Sequence, residues 1–367
     1  MRVRADVRGD RPLGAGGAAI ALPDECGGDF PIAVRSRGLL VVAGLLISGL
    51  AAAFVLARFD IRGARDTLAG AQLPPIGLAL MLLAGGLALR SVRWSILLGS
   101  QPGERPTAGR VAPVMLVGYL GNTLLPARLG ELLRAWLITR RCPVSLAQAV
   151  SSVVVERVVD TTVLALLASI AAIGLRAPAW IVQLSVVVAM VAGAVLGLLG
   201  AGAVGAAVRA LRRAAGPAPR LSAALLRLSI AVEPIDGYGP LRMAAAAGLS
   251  ALAWCMDSAV VWLTAVALSI GISPGVALLI TAVTVLGTAV PAAPGYLGTF
   301  ELALAATAGA FGVPPAQGLA LGLLAHAVSL IPITLAGVVS AVVLGVRPRD
   351  VGEAQGLRAG DHEVREA

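Results

Sequence analysis

Apolar residues come in long unbroken runs with the polar residues gathered between them, so most segments lack the wet face and dry face of a soluble helix. Residues 38–57 form the first such run, flanked by Arg35, Arg37 and Arg58. A short polar connection with Arg62, Arg65 and Asp66 leads to Pro74 and Pro75, which open a second span to about residue 99. Arg90, Arg93 and Trp94 lie in its last turns, where arginines can snorkel to the interface. After a connection with Pro102, Gly103 and Pro106, residues 111–125 give only about 15 apolar positions, short for a full span. The pattern predicts a re-entrant element that breaks at Pro126 and returns through an amphipathic stretch, 131–139, to Arg140 and Arg141; a kinked ordinary span is the other reading. A long helix over 145–174 and a nearly featureless span over 178–207 follow, then a basic loop over 209–242. The second half repeats the plan: a span over 243–270, a short apolar run over 276–290 ending at Pro291 and Pro294, a return over 295–311, and a last span over 317–346.

The sharpest break is residues 119–134, where an apolar run is interrupted by Asn122, Pro126 and Gly130 and then carries Arg128, Glu131 and Arg134. A proline removes a backbone donor, so such a segment persists at bilayer depth only where it is buried in protein or lines a cavity. Residues 288–301 carry the pattern again: Thr123, Pro126, Ala127 and Gly130 match Thr288, Pro291, Ala292 and Gly295 at a constant separation of 165 positions. Paired, Gly/Pro-interrupted apolar segments at corresponding places in two halves point to a transporter site. With the arginine-rich 209–242 loop inside, the two halves run in opposite directions as an inverted repeat.

Composition narrows the class. Of 367 residues 58% are hydrophobic and 13% charged, and mean hydropathy is +0.89. The chain reads as an all-α polytopic membrane protein with about six full spans and two re-entrant broken-helix elements. The net charge of +9 is carried by arginine alone, placed in loops between spans, which signals orientation rather than a nucleic-acid partner. Cys26, Cys142 and Cys255 lack metal-ligand spacing, and no cofactor motif, metal motif or catalytic constellation appears. The expected division is a flexible cytoplasmic tail over 1–37, a transmembrane domain over 38–346 with repeat halves at about 74–175 and 243–345 around a cytoplasmic loop at 208–242, and a cytoplasmic tail over 347–367. Both termini are thus expected on the cytoplasmic side of the cell membrane.

Charges inside spans are costly, at least about 2.5–3.5 kcal/mol each, and so mark sites or paired clusters. Glu156, Arg157 and Asp160 place two acids on one helix face, with Arg157 in reach of Asp160. Asp257 is a partner for Arg157 or Arg90, or meets water in a cavity. Arg128 and Arg134 flank Glu131, where they either bind a lipid phosphate or snorkel. Glu301, after Pro294, Gly295 and Gly298, is either a site residue or a partner of the helix dipole. His326 stands alone among apolar residues and reads as a packing residue or a ligand contact.

Taken together, Arg90-x-x-Arg93-Trp94, Asn122-x3-Pro126-x-Arg128-x-Gly130-Glu131-x-x-Arg134, Glu156-Arg157-x-x-Asp160 and Pro291-x-x-Pro294-Gly295-x-x-Gly298-x-x-Glu301 resemble the transmembrane region of the lysylphosphatidylglycerol synthase family, or flippase-like proteins, over about residues 40–345. The resemblance implies movement of a phospholipid or lipid-linked envelope precursor between leaflets, with a separate lipid-modifying enzyme as partner. The family's synthase domain is not matched, so lipid synthesis is not implied, and His326 stands near where family members carry an arginine. The other class kept open is a membrane enzyme or accessory subunit of cell-envelope glycolipid assembly, with Glu131 or Asp160 as a base.

Overall fold

The computed structural model describes residues 46–51, 53–54, 57, 59–99, 105–125, 129–200, 202–214, 238–287, 293–347, 350 and 352. Residues 1–37, most of the C-terminal tail, most of the first apolar run, Pro126, Arg128 and Pro291 lie outside them. Among the described residues there are helices and no strands. Four helices among the described residues are long and apolar enough to cross a membrane, and the chain is a multi-pass membrane protein.

The polar connection after the first run is a helix, α1 (Ile61–Ala69), because Asp60 accepts a hydrogen bond from the Gly63 amide and caps it. Then come α2 (Leu73–Leu98), α3 (Ala108–Leu124), α4 (Leu129–Thr139), α5 (Leu146–Gly174), α6 (Ala179–Gly200), α7 (Ala203–Ala214), α8 (Pro240–Ala267), α9 (Pro274–Gly287), a 3-10 turn at Pro294–Tyr296, α10 (Thr299–Gly309) and α11 (Pro315–Val343). The span expected over 178–207 ends as a helix at Gly200, and after Gly202, with φ of 64°, α7 runs as a separate helix from the last residues of that expected span into the region read as a loop.

The order long, short, short, long occurs twice, as α2–α5 with 26, 17, 11 and 29 residues and α8–α11 with 28, 14, 11 and 29. Packing respects that correspondence. The first helices, α2 and α8, lie along one another; α3 packs on α11 as α9 packs on α5; the short pairs α3/α4 and α9/α10 each form their own contact.

Small residues permit the closest of these contacts. Gly130, read from sequence as a helix breaker, is instead helical, the second residue of α4. A Cβ there would lie 1.9 Å from the Gly118 carbonyl oxygen and 2.5 Å from the Asn122 amide nitrogen of α3. Close backbone approach, and not chain reversal, explains this glycine. Similarly, a Cβ on Gly337 of α11 would lie 2.8 Å from the Leu116 oxygen of α3.

The exterior is apolar, with Met81, Ile170, Met190 and Val342 each around 70% exposed or more. Arg93, Arg134 and Glu156 are each at most 1% exposed. That inversion of the soluble pattern is what a lipid solvent imposes, since unpaired polar groups cannot face it.

Candidate functional site

One carboxylate ties three helices together. Glu156 of α5 accepts from Arg134 of α4 at 3.0 and 3.2 Å and from its neighbour Arg157 at 2.7 Å. Arg93 of α2 lies 3.3 Å from the same oxygen that Arg134 and Arg157 share. Asp160, one turn on, accepts from both terminal nitrogens of Arg93, one of them at 3.0 Å, and Arg93 also donates to Ser250 of α8 at 2.6 Å. Glu156 and Asp160 at i and i+4 therefore grip one guanidinium between them.

The aromatic rings complete this packing. The Arg134 guanidinium sits over the Trp94 ring at 4.7 Å, and the Trp94 indole donates to Ser152 at 3.0 Å. Arg90 makes a two-point pair with Asp257 of α8, at 3.2 and 2.5 Å, and lies over the Trp254 ring at 5.1 Å.

These pairings correct three readings and choose between the partners offered in a fourth. Arg90 and Arg93 do not snorkel, because acids on α5 and α8 meet them inside the bundle. Arg134 is neither at the interface nor free for a phosphate, since Glu156 occupies it. Arg157 turns to Glu156 and, at 3.5 Å, to Glu131, leaving Asp160 to Arg93. Of the two partners considered for Asp257, Arg90 is the one it holds.

The second broken element is held differently. Gly295 and Gly298 have φ of 73° and 82°, conformations that suit glycine, and Tyr296 between them adopts φ of 57°, a strained choice for a residue with a side chain. Glu301 accepts from the Gly298 amide at 2.7 Å, capping α10. Its other oxygen lies 2.6 Å from His326 Nδ1 on α11. His326, which looked solitary in sequence, thus has a carboxylate partner and a ring partner, stacking on Phe300 at 4.3 Å. Gly322 makes room for this arrangement, since a Cβ there would lie 3.2 Å from the Glu301 Cα.

Between the two helical units lies a cavity of about 460 Å³. Arg90, Asn122, Glu131, Arg157, Asp160 and Asp257 line it, with Gly295 of the second broken element and His326 of α11. The two breaks meet there: a Cβ on Gly295 would lie 3.9 Å from the Thr123 methyl. Arg93, Arg134 and Glu156 stand behind this wall and hold it. Among the described residues, four buried polar atoms of lining residues have no hydrogen-bond partner: Asn122 Oδ1, Arg157 Nε, Trp254 Nε1 and Thr284 Oγ1.

Trp254 and Thr284 were not among the sequence candidates. Trp254 had a signal, standing one helical turn before Asp257, whereas Thr284 had none. Among the described residues no group of three or more His, Cys, Asp or Glu is placed to hold a metal ion.

Two similarities to known proteins bear on this site. A family model described as "Lysylphosphatidylglycerol synthase TM region" matches residues 41–337, and so spans every residue of the cavity wall. The protein named "Glycosyltransferase AglD" of Haloferax volcanii is 27% identical over 365 residues, covering 90% of this chain. The match takes in 58% of that relative's own length, so this chain corresponds to little more than half of it.

Proposed function

The chain belongs to the lysylphosphatidylglycerol synthase TM region family, and from that premise we propose that it translocates a phospholipid or a lipid-linked envelope precursor between leaflets. The observation that carries this is the cavity between two corresponding four-helix units, reached by both broken elements and holding unpartnered polar atoms. In this reading the units are inverted copies within a domain of about six spans at 38–346, the short helices are re-entrant, and both tails are cytoplasmic. Rocking of one unit against the other opens the cavity to either face. Arg157, whose side chain is 36% exposed, is the charged group that meets the substrate, with Glu131 beside it. A separate lipid-modifying enzyme supplies the substrate.

A second reading rests on the printed name of the Haloferax relative: a membrane enzyme or accessory subunit in envelope glycolipid assembly. Asp160 is held by Arg93, so Glu131, with a side chain 18% exposed, is the base that reading would use.

Reconstitution of the purified chain in vesicles with fluorescent lipids, followed by dithionite quenching of the outer leaflet, separates the two. Translocation predicts lipid movement that R157Q slows. If no lipid moves and a lipid-linked sugar acceptor is instead extended in a manner lost in E131Q, the enzyme reading replaces the first.

A further inference from the structure

We infer that His326 and Glu301 form a second headgroup site, equivalent to Arg157 and Glu131 and alternating with them in holding the phosphate of a lipid headgroup; this rests on the translocation reading and deepens it.

The equivalence lies in position. Glu131 and Glu301 are each the third residue of an 11-residue helix, α4 and α10. Arg157 and His326 are each the twelfth residue of the 29-residue helix that follows, α5 and α11. In both units the acid meets the base: Glu131 lies 3.5 Å from Arg157 Nε, and Glu301 2.6 Å from His326 Nδ1. The two pairs stand a few positions further apart than the proline-and-glycine match does, since Gly130 is already inside α4 whereas Gly295 lies in the 3-10 turn ahead of α10.

Neighbouring positions show that holding these helices together does not require charge. Arg134 and Glu156, which brace the first unit, are the sixth residue of α4 and the eleventh of α5. The same positions of α10 and α11 are Leu304 and Ala325, both buried in one apolar cluster. Apolar residues can replace a buried ion pair at little cost, and the second unit has them there. Glu301 is the one acid of α10 and His326 the one titratable group of α11. A polar pair is present in both units only at the Glu131 and Arg157 positions.

Both bases line the cavity between the units. Arg157 is a permanent cation with several donors, and a protonated His326 gives one ring nitrogen to Glu301 and the other to the cavity. A phosphate, which accepts on its oxygens, suits either. The pairs differ in closure: the side chains of Arg157 and Glu131 are 36% and 18% exposed, those of His326 and Glu301 9% and 7%. One site is loose and its counterpart shut, an asymmetry that inverted copies exchange when the cavity turns to the other face. In the exchanged state the phosphate sits at His326 and Arg157 closes on Glu131.

The test uses the full chain in vesicles with two lipids that carry a diazirine on the headgroup, phosphatidylglycerol and glucosyl-diacylglycerol. Adducts formed on irradiation are mapped by peptide mass spectrometry, and movement is followed separately with fluorescent phosphatidylglycerol and dithionite. The phosphatidylglycerol probe should label α4–α5 near Arg157 and α10–α11 near His326, and should exceed the glucosyl probe at both. H326Q should lower labelling at α10–α11 by about threefold or more, the size expected for one lost hydrogen bond, and spare α4–α5. Labelling absent from α10–α11, equal labelling by the glucosyl probe, or an H326Q effect that is nil or the same at both places overturns this inference; movement of the fluorescent lipid then leaves translocation standing. Labelling at both places with no movement overturns translocation and upholds the paired sites.

Discussion

At the scale of single residues, Glu156 separates a buried ion pair from a surface one. Its side chain is 1% exposed and faces Arg93, Arg134 and Arg157. E156Q leaves those guanidinium groups competing for too few acids and should cost about 3–5 kcal/mol, read as a large fall in thermal midpoint in detergent. E131Q removes a half-wet partner at 3.5 Å and should cost about 1 kcal/mol or less. Equal losses would mean the Glu156 cluster is not buried as described. A second residue gives a pH signature. Tyr238, ahead of α8, donates from its hydroxyl to the Leu97 carbonyl at 2.8 Å, and burial pushes its phenol up to about 12. Its folded value lies above its ordinary value near 10, so its contribution is complete below pH 10 and lost as pH climbs toward 12. The melting temperature should fall over that window, and the fall should shrink in Y238F.

The element scale shows what sequence could and could not tell. Polar residues inside apolar runs were visible one by one, and so was the break at Gly295 and Gly298, because local backbone chemistry dictates it. Their partners were not visible. The i, i+3 rule steered Arg157 toward Asp160, yet Asp160 took Arg93, 67 positions earlier, because α2 passes α5 in the bundle. Gly130 was noticed for the wrong reason, since a glycine that permits contact and one that turns the chain look alike in sequence. G130A makes the distinction measurable. A methyl 1.9 Å from the Gly118 oxygen forces α3 and α4 apart and should cost upward of about 1–3 kcal/mol, as overpacking does. Gly193 in mid-α6 has nothing within 4 Å of its Cβ position, and G193A should match wild type or gain up to about 1 kcal/mol. Unchanged melting of G130A would remove the close contact from the account.

At the scale of the whole molecule, the proposed inversion of the two units has a direct readout. In a cysteine-free background, a cysteine placed at position 103 should react only with reagent on the cytoplasmic side, and one within 272–275 only from outside. The arginine bias predicts that the 209–242 loop is inside, and α8 separates that loop from residue 272. Labelling of both from one side would make the units parallel copies and would remove the basis for rocking around a shared cavity.

The pairing of charges in the bundle has an electrical consequence. Arg90, Arg93, Arg134 and Arg157 answer Glu131, Glu156, Asp160 and Asp257, four cations against four anions among the described residues. Seven of these charges lie on α2–α5 and Asp257 lies on α8, so a movement that keeps the Arg90–Asp257 pair together carries no net charge of this set through the field, and a membrane potential does no work on it. One uncompensated charge carried fully across would feel about 2.3 kcal/mol per 100 mV. With a potassium gradient and valinomycin setting the voltage, the flipping rate of an uncharged lipid should be the same at zero and at strongly negative potential. A steep voltage dependence would reveal a charge on the moving part that these pairs do not balance.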